Sequence, residues 1–144
     1  MIPPQTLFDS DLTLEDAQEL IKNGEDVNVR CGSGYTPLHF IQNVDVVKLL
    51  IDHGADVNAQ NDVGKTPLFY AINENIEIVR LLIKNGADVN AKNNDGNTPL
   101  FSVKKNDIAQ LLIDHGAKVN ITNQFGETPF FYGYLTAHKK SIHI

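Results

Sequence analysis

The residues best able to do chemistry in this sequence are five histidines and one cysteine. The histidines are His39, His53, His115, His138 and His143, and the cysteine is Cys31. Zinc sites place their ligands at short, characteristic spacings such as HExxH or CxxC, and neither pattern occurs. A single cysteine also cannot form an internal disulfide, which favours a reducing compartment. The sequence therefore predicts no metal site and no cofactor.

Glycines and carboxylates give no catalytic pattern either. The sequence lacks both GxGxxG and GxxxxGK[ST], the glycine-rich patterns that bind phosphates. The aspartates and glutamates fall at expected helix starts and turns, whereas paired-carboxylate catalysis needs a pocket to hold the substrate. We therefore expect no catalytic residue, and the chain is interpreted as a protein that is not an enzyme.

Composition limits the classes of partner. The chain has 144 residues, of which 42% are hydrophobic and 21% charged, as is typical of one folded domain. A net charge of -6 argues against nucleic acid, and the only basic cluster is His138-Lys139-Lys140. No apolar run is long enough to span a membrane, and the first residues lack a signal-peptide pattern. We expect a cytoplasmic monomer without a membrane partner, with delivery into a host or neighbouring cell as the alternative.

The organisation of the chain is set by an internal repeat. LLIDHGADVNAQNDVGKTPL (49–68) and LLIKNGADVNAKNNDGNTPL (81–100) match at 14 of 20 positions. Two sets of positions recur at spacings of 30, 32 and 30. One set is Gly24, Gly54, Gly86 and Gly116, and the other is the Thr-Pro pairs that begin at Thr36, Thr66, Thr98 and Thr128. Self-similarity at this period is the pattern of a solenoid, in which each unit is stabilised by stacking on its neighbours.

Each unit predicts two helices. Thr-Pro is typical of a helix start, because the hydroxyl can cap a backbone N–H and proline fits the first helical position. A second helix is expected after a polar cap, which is Thr13, Asn43 or Asn75 in the first three units, with an acidic residue such as Asp45 in its first turn. Its apolar positions form a stripe too broad for one interface, so neighbours should cover it on both sides. The recurring glycine fits the left-handed residue that ends a helix.

The two motifs together, TPLHF (36–40) and GADVNA (54–59), resemble the ankyrin repeat. The resemblance implies an all-α solenoid of stacked helix-turn-helix units with projecting β-hairpin or turn loops. It divides the chain into a degenerate first unit (1–30), three inner units (31–60, 61–92 and 93–122) and a truncated last unit (123–144). Units of 30 rather than 33 residues should shorten the first helix, except in the unit that begins at Thr66. Polar Asp11 and Ser141 replace apolar residues in the outer units, as expected of caps.

Because the repeated residues are used for folding, a binding surface is sought among the residues that vary. In an ankyrin array the concave side would carry Phe40, Tyr70, Ser102 and Tyr132. The loops would carry Tyr35, Asp62, Lys65, Asp95, Asn97, Phe125 and Glu127. We expect both sets to border one groove, with aromatic residues as the principal contacts, although several rings could instead cover adjacent helices. The function predicted is binding, and masking or inhibition, of another protein. Alternatives are a host-directed effector or adaptor and a self-associating structural unit.

Overall fold

The protein is a stack of paired helices in two layers. The computed structural model describes residues 5–129, and these residues contain no β-strand. The helices are α1 (Leu14–Lys22), a first 3₁₀ helix (Pro37–His39), α2 (Val44–Asp52), α3 (Pro67–Ala71), α4 (Ile76–Lys84), a second 3₁₀ helix (Pro99–Phe101) and α5 (Asn106–Asp114). The outer layer is continuous, because α1 packs on α2, α2 on α4 and α4 on α5. The short helices form the inner layer, in which the first 3₁₀ helix packs on α3.

The ends of the outer helices are encoded locally. Asn43 caps α2 by accepting hydrogen bonds from the backbone of Asp45 and Val46, and Asp45 adds a negative charge to the first turn. At the other end, Nδ1 of His53 lies 2.9 Å from the carbonyl oxygen of Leu49. Gly54 follows with φ of +90°, the left-handed conformation that a glycine adopts without strain. His53 thus has a helix-capping role.

The length of each inner helix follows the length of its unit. The two units of 30 residues have only three-residue 3₁₀ helices, whereas the 32-residue unit has the five-residue α3. Each of these helices begins at the proline of Thr-Pro, as the sequence predicts. The extra residues lie within α3 itself, because four residues connect each of the first two short helices to the outer helix that follows, so the inner layer is longer in this unit than in its neighbours.

The core lies between the layers and between successive outer helices. Val46, Val47 and Leu50 of α2 are completely buried, and Leu82 of α4 and Leu112 of α5 occupy matching buried positions. Burial of three neighbouring positions on one short helix requires cover on two sides, which α1 and α4 provide for α2. The expected sandwiching is confirmed for α2 and α4, each of which packs between two other outer helices.

The projecting loops are tight turns. We refer to them as loop 1 (31–35), loop 2 (61–65), loop 3 (93–97) and loop 4 (123–127). In loop 2 the backbone N–H of Asn61 bonds to the carbonyl of Lys65, and Asn61 Oδ1 accepts from Val63 and Lys65. One backbone bond joins each loop to the next, such as Asp62 N–H to the carbonyl of Ser33. The sequence left open whether these loops are β-hairpins or turns, and the described loops are turns.

The threonines of the Thr-Pro pairs correct one expectation. The hydroxyls of Thr66 and Thr98 do not cap their helices; within the described chain both are buried without a hydrogen-bond partner. The hydroxyl of Thr36, in contrast, lies 3.0 Å from Nδ1 of His39. Phenylalanines occupy the position of His39 in the next two units and cannot make this contact. Helix α3 therefore begins without a cap from the Thr66 hydroxyl. The proline at its first position and the packing of the helix are sufficient.

Candidate functional site

The most distinctive surface is an aromatic cluster at the junction of the second and third units. We use this name for Tyr35, His39, Phe40 and Tyr70. The rings of Tyr35 and Phe40 are stacked with centroids 4.9 Å apart, and Tyr35 lies 5.7 Å from Tyr70. Phe8 extends the cluster toward the first unit, with its ring 6.0 Å from that of Phe40. Such contacts fix the rings relative to one another, so they present a preformed surface.

Hydrogen bonds hold the polar ends of the two tyrosines. Asn61 Nδ2 donates to the hydroxyl of Tyr70 at 2.7 Å, and that hydroxyl donates to Tyr35 at 3.2 Å. Burial, together with the bond to Tyr35, raises the pKa of Tyr70 to about 12. The phenol therefore stays protonated at neutral pH. Lys65 Nζ lies 5.8 Å from the centroid of the same ring, close enough for a weak cation–π contact.

His39 forms the buried base of the cluster and is neutral. The backbone N–H of Thr36 donates to its Nδ1 at 2.9 Å, so the ring proton is on Nε2, which lies 3.0 Å from the carbonyl oxygen of Lys65. Burial lowers the pKa of His39; its hydrogen bonds oppose this shift, and the charge of Arg30 adds to it. His39 thus joins loop 2 to the preceding unit and is not free to bind a ligand.

A groove lies beside the cluster, between the first 3₁₀ helix and α3. Its volume is about 190 Å³. Phe40 and Tyr70 contribute aromatic walls, while buried Ile41 and Ala71 belong to its apolar lining. Glu74 also lines the groove, and its exposed carboxylate has no hydrogen-bond or ion-pair partner within residues 5–129. The groove combines an apolar interior with one negative charge.

The four loops form a second surface, which adjoins the aromatic cluster through Tyr35 and Lys65. Among the residues described, the large hydrophobic side chains that are exposed are Phe40, Val63 and Phe125, with 39%, 50% and 67% of their surface accessible. Val63 and Phe125 occupy the same position in loops 2 and 4, and Asp95 occupies it in loop 3. Asp95 also accepts a hydrogen bond from Gln124, which braces loop 4. We call the surface formed by loops 1 to 4 the loop edge. From loop 2 to loop 4, the third residue of each loop is in turn apolar, acidic and apolar.

The residues predicted for one binding surface fall into two groups. Those brought together in or beside the aromatic cluster are Tyr35, Phe40, Lys65 and Tyr70. Those in the row of loops are Asp62, Asp95, Asn97, Phe125 and Glu127. Ser102 is exposed at the end of the second 3₁₀ helix, and Tyr132 lies outside the described residues. Asn97 and Glu127 share a structural contact, because both accept hydrogen bonds from Asn123 Nδ2.

Sequence reasoning missed the groove and Glu74. The relevant signal was the 32-residue spacing between Gly54 and Gly86, which adds two residues to the inner helix of the third unit. Spacing predicts a longer segment, but whether that segment closes over its neighbour or leaves a gap depends on packing between units.

Comparison with protein families agrees with this architecture. A model of ankyrin repeats in three copies matches residues 10–93, and a model of a single ankyrin repeat matches residues 95–124. The chain belongs to the ankyrin repeat family. Ankyrin repeats are generally protein–protein interaction modules and are typically non-catalytic. None of the curated proteins compared matches this ankyrin repeat chain.

Residues 5–129 hold no group of three or more histidine, cysteine or acidic side chains placed to bind a metal ion. Over the same range, no helix has the length and apolar character needed to cross a membrane.

Proposed function

We propose that this ankyrin repeat protein binds another protein through the aromatic cluster and the loop edge, and masks the surface that it contacts. The partner's activity is inhibited because its functional surface is covered. Contact rather than chemistry is the mode of action of such interaction modules.

The observation that carries the proposal is the exposure of Phe40 on a braced aromatic cluster. An aromatic side chain with 39% of its surface exposed is available for contact, while Tyr35 and Phe8 hold its ring in place. Binding hot spots are enriched in aromatic residues, and a ring that is already ordered loses little entropy on binding. The loop edge supports the proposal with Val63 and Phe125, since both side chains are exposed beside acidic residues that would suit basic groups on a partner.

Affinity capture from the native cell lysate with matched variants tests the assignment. Phe40→Ser is the principal variant, because Ser102 occupies the corresponding position in the fourth unit and the fold accommodates it there. Phe125→Ser tests the loop edge, since Ser33 holds that position in loop 1. Lys48→Ala changes an exposed residue of α2 and serves as the control. We expect a partner captured by the wild type and the control but depleted by Phe40→Ser.

A second assay tests masking itself. The captured partner's own activity is measured as the ankyrin protein is added, and we expect inhibition that saturates with binding and is weakened in Phe40→Ser. Equal capture by Phe40→Ser and wild type would remove the cluster from the interface. A fully bound partner with unchanged activity would support an adaptor instead. A dimer detected by light scattering, and dissociated by Phe40→Ser, would favour a self-associating unit.

A further inference from the structure

The groove lies where the inner layer of the stack changes in length from one unit to the next. We call this change in length the step. From the threonine of each Thr-Pro pair to the cap of the following outer helix, the chain advances from Thr36 to Asn43 in the second unit but from Thr66 to Asn75 in the third. The third unit therefore has two additional residues at this edge. The inner segment of this unit is thus longer than those of the two units between which it is stacked.

The two sides of the step differ. Toward the fourth unit, Asn73 closes it: its Nδ2 donates to the carbonyl oxygen of Ser102 at 3.0 Å, and its Oδ1 accepts from the backbone of Lys104 at 3.1 Å. Toward the second unit, within the described chain, no hydrogen bond joins residues 72–75 to residues 40–43. This side remains open as the groove of about 190 Å³.

The size and lining of the groove suit one bulky apolar side chain. An apolar cavity of roughly 150 Å³ accommodates a benzene ring, and this groove is slightly larger. Leu38, Ile41, Ala71 and Ile78 supply buried apolar surface, and Tyr70 is held in place by its bonds to Tyr35 and Asn61. A ligand group would therefore enter a preformed site.

We propose that this groove is an anchor pocket for a partner protein segment that carries one bulky apolar residue with a lysine or arginine close to it in sequence. The apolar side chain enters between the first 3₁₀ helix and α3, and the basic group pairs with Glu74 at the edge. Glu74 specifies a basic group on the bound segment, because its carboxylate is exposed and has no hydrogen-bond or ion-pair partner within residues 5–129. This inference rests on the proposed function and specifies the chemistry of the segment that is bound.

Peptide selection tests the pocket directly. Phage-displayed random dodecapeptides are selected on the immobilised wild-type protein, and enriched sequences are synthesised with a fluorescent label. We expect them to share one leucine, isoleucine, methionine or phenylalanine with a nearby lysine or arginine. Affinities are then measured by fluorescence anisotropy for the wild type, Ala71→Ile, Glu74→Gln and the control Lys48→Ala.

Each variant changes one property of the pocket. Ala71→Ile fills the groove with a side chain that the fold accepts as Ile41 at the corresponding position of the second unit, and should weaken binding about tenfold or more, as loss of a buried anchor does. Glu74→Gln should weaken it about two- to fivefold and reduce its salt dependence, as expected of an exposed ion pair. Circular dichroism checks that Ala71→Ile keeps the wild-type helical content, and the exposed Glu74 variant provides an independent readout.

Three outcomes would overturn the inference. They are an enriched set without the apolar–basic pattern, unchanged affinity in both pocket variants, and a wild-type dimer that Ala71→Ile dissociates, which would make a second copy the occupant. Affinity capture from the cell lysate distinguishes failure of the pocket inference from failure of the proposed function. A cellular partner lost by Phe40→Ser but kept by Ala71→Ile would preserve the proposed function and reject the pocket. A partner kept by both variants would reject the aromatic cluster as the interface as well.

Discussion

At the scale of single residues, the three buried threonines have the same sequence context and different hydrogen bonding. Thr36 reaches His39, whereas the hydroxyls of Thr66 and Thr98 have no partner within the described chain. Because an unpaired buried hydroxyl is costly, Thr66→Val and Thr98→Val should leave the free energy of unfolding unchanged or raise it by up to about 1 kcal/mol. Thr36→Val should lower it by about 1 kcal/mol. Urea denaturation measures all three, and an equal loss in each would show that Thr66 and Thr98 are hydrogen-bonded.

His39 makes stability depend on pH. Its pKa in the folded protein is lowered by burial, so the unfolded chain takes up the proton first as pH falls. The contribution of neutral His39 is complete above the unfolded value of about 6.5 and decreases as pH falls through the folded pKa, by at most about 1.4 kcal/mol per pH unit. The free energy of unfolding of the wild type should therefore fall relative to that of His39→Phe from pH 7.5 to 5, as measured by urea denaturation. The other histidines are present in both proteins, so their effects cancel. A stability difference between the two proteins that does not change with pH would contradict a lowered pKa of His39.

At the scale of elements, an asparagine organises three of the four loops. Asn61, Asn93 and Asn123 each accept two backbone hydrogen bonds from within their own loop, and Cys31 occupies this position in loop 1. Loop 1 keeps the same backbone turn, so Cys31→Asn should add these bonds and raise the free energy of unfolding by about 1 kcal/mol.

Denaturation under reducing conditions measures the effect of Cys31→Asn, with Asn93→Cys as the reverse exchange. A gain in the first variant and a comparable loss in the second are expected. No change in either would mean that water satisfies these backbone groups equally well.

The outer helices were predictable because their signals are local. The caps Thr13, Asn43 and Asn75 begin α1, α2 and α4 where the sequence places them, and the third unit has the longer inner helix that its length predicts. The predicted capping by Thr66 and Thr98 was wrong, because the conformation of a hydroxyl depends on the side chains that pack around it. The same limit applies to the candidate site: residue type indicated exposed aromatic residues, but their partners came from different units.

At the scale of the whole molecule, stability is shared between neighbouring units. Leu82 of α4 is 1% exposed, and its helix packs on both α2 and α5. Leu82→Ala should lower the free energy of unfolding by about 2 to 5 kcal/mol through loss of apolar contact and creation of a cavity. Because each unit depends on its neighbours, amide hydrogen exchange should accelerate in α2 and α5 as well as in α4. Faster exchange confined to α4 would contradict this coupling.

The sequence by itself determined the repeat, its period and the boundaries of the outer helices. Caps, prolines and left-handed glycines act within a few residues, so their effect can be read without knowing what packs beside them. Only the tertiary structure decided which side chains meet. Tyr35 and Tyr70 are separated by 35 positions, yet their hydroxyls are hydrogen-bonded. The groove beside them likewise lies between two stacked units of different length, and Asn73 bridges only to the unit on the other side.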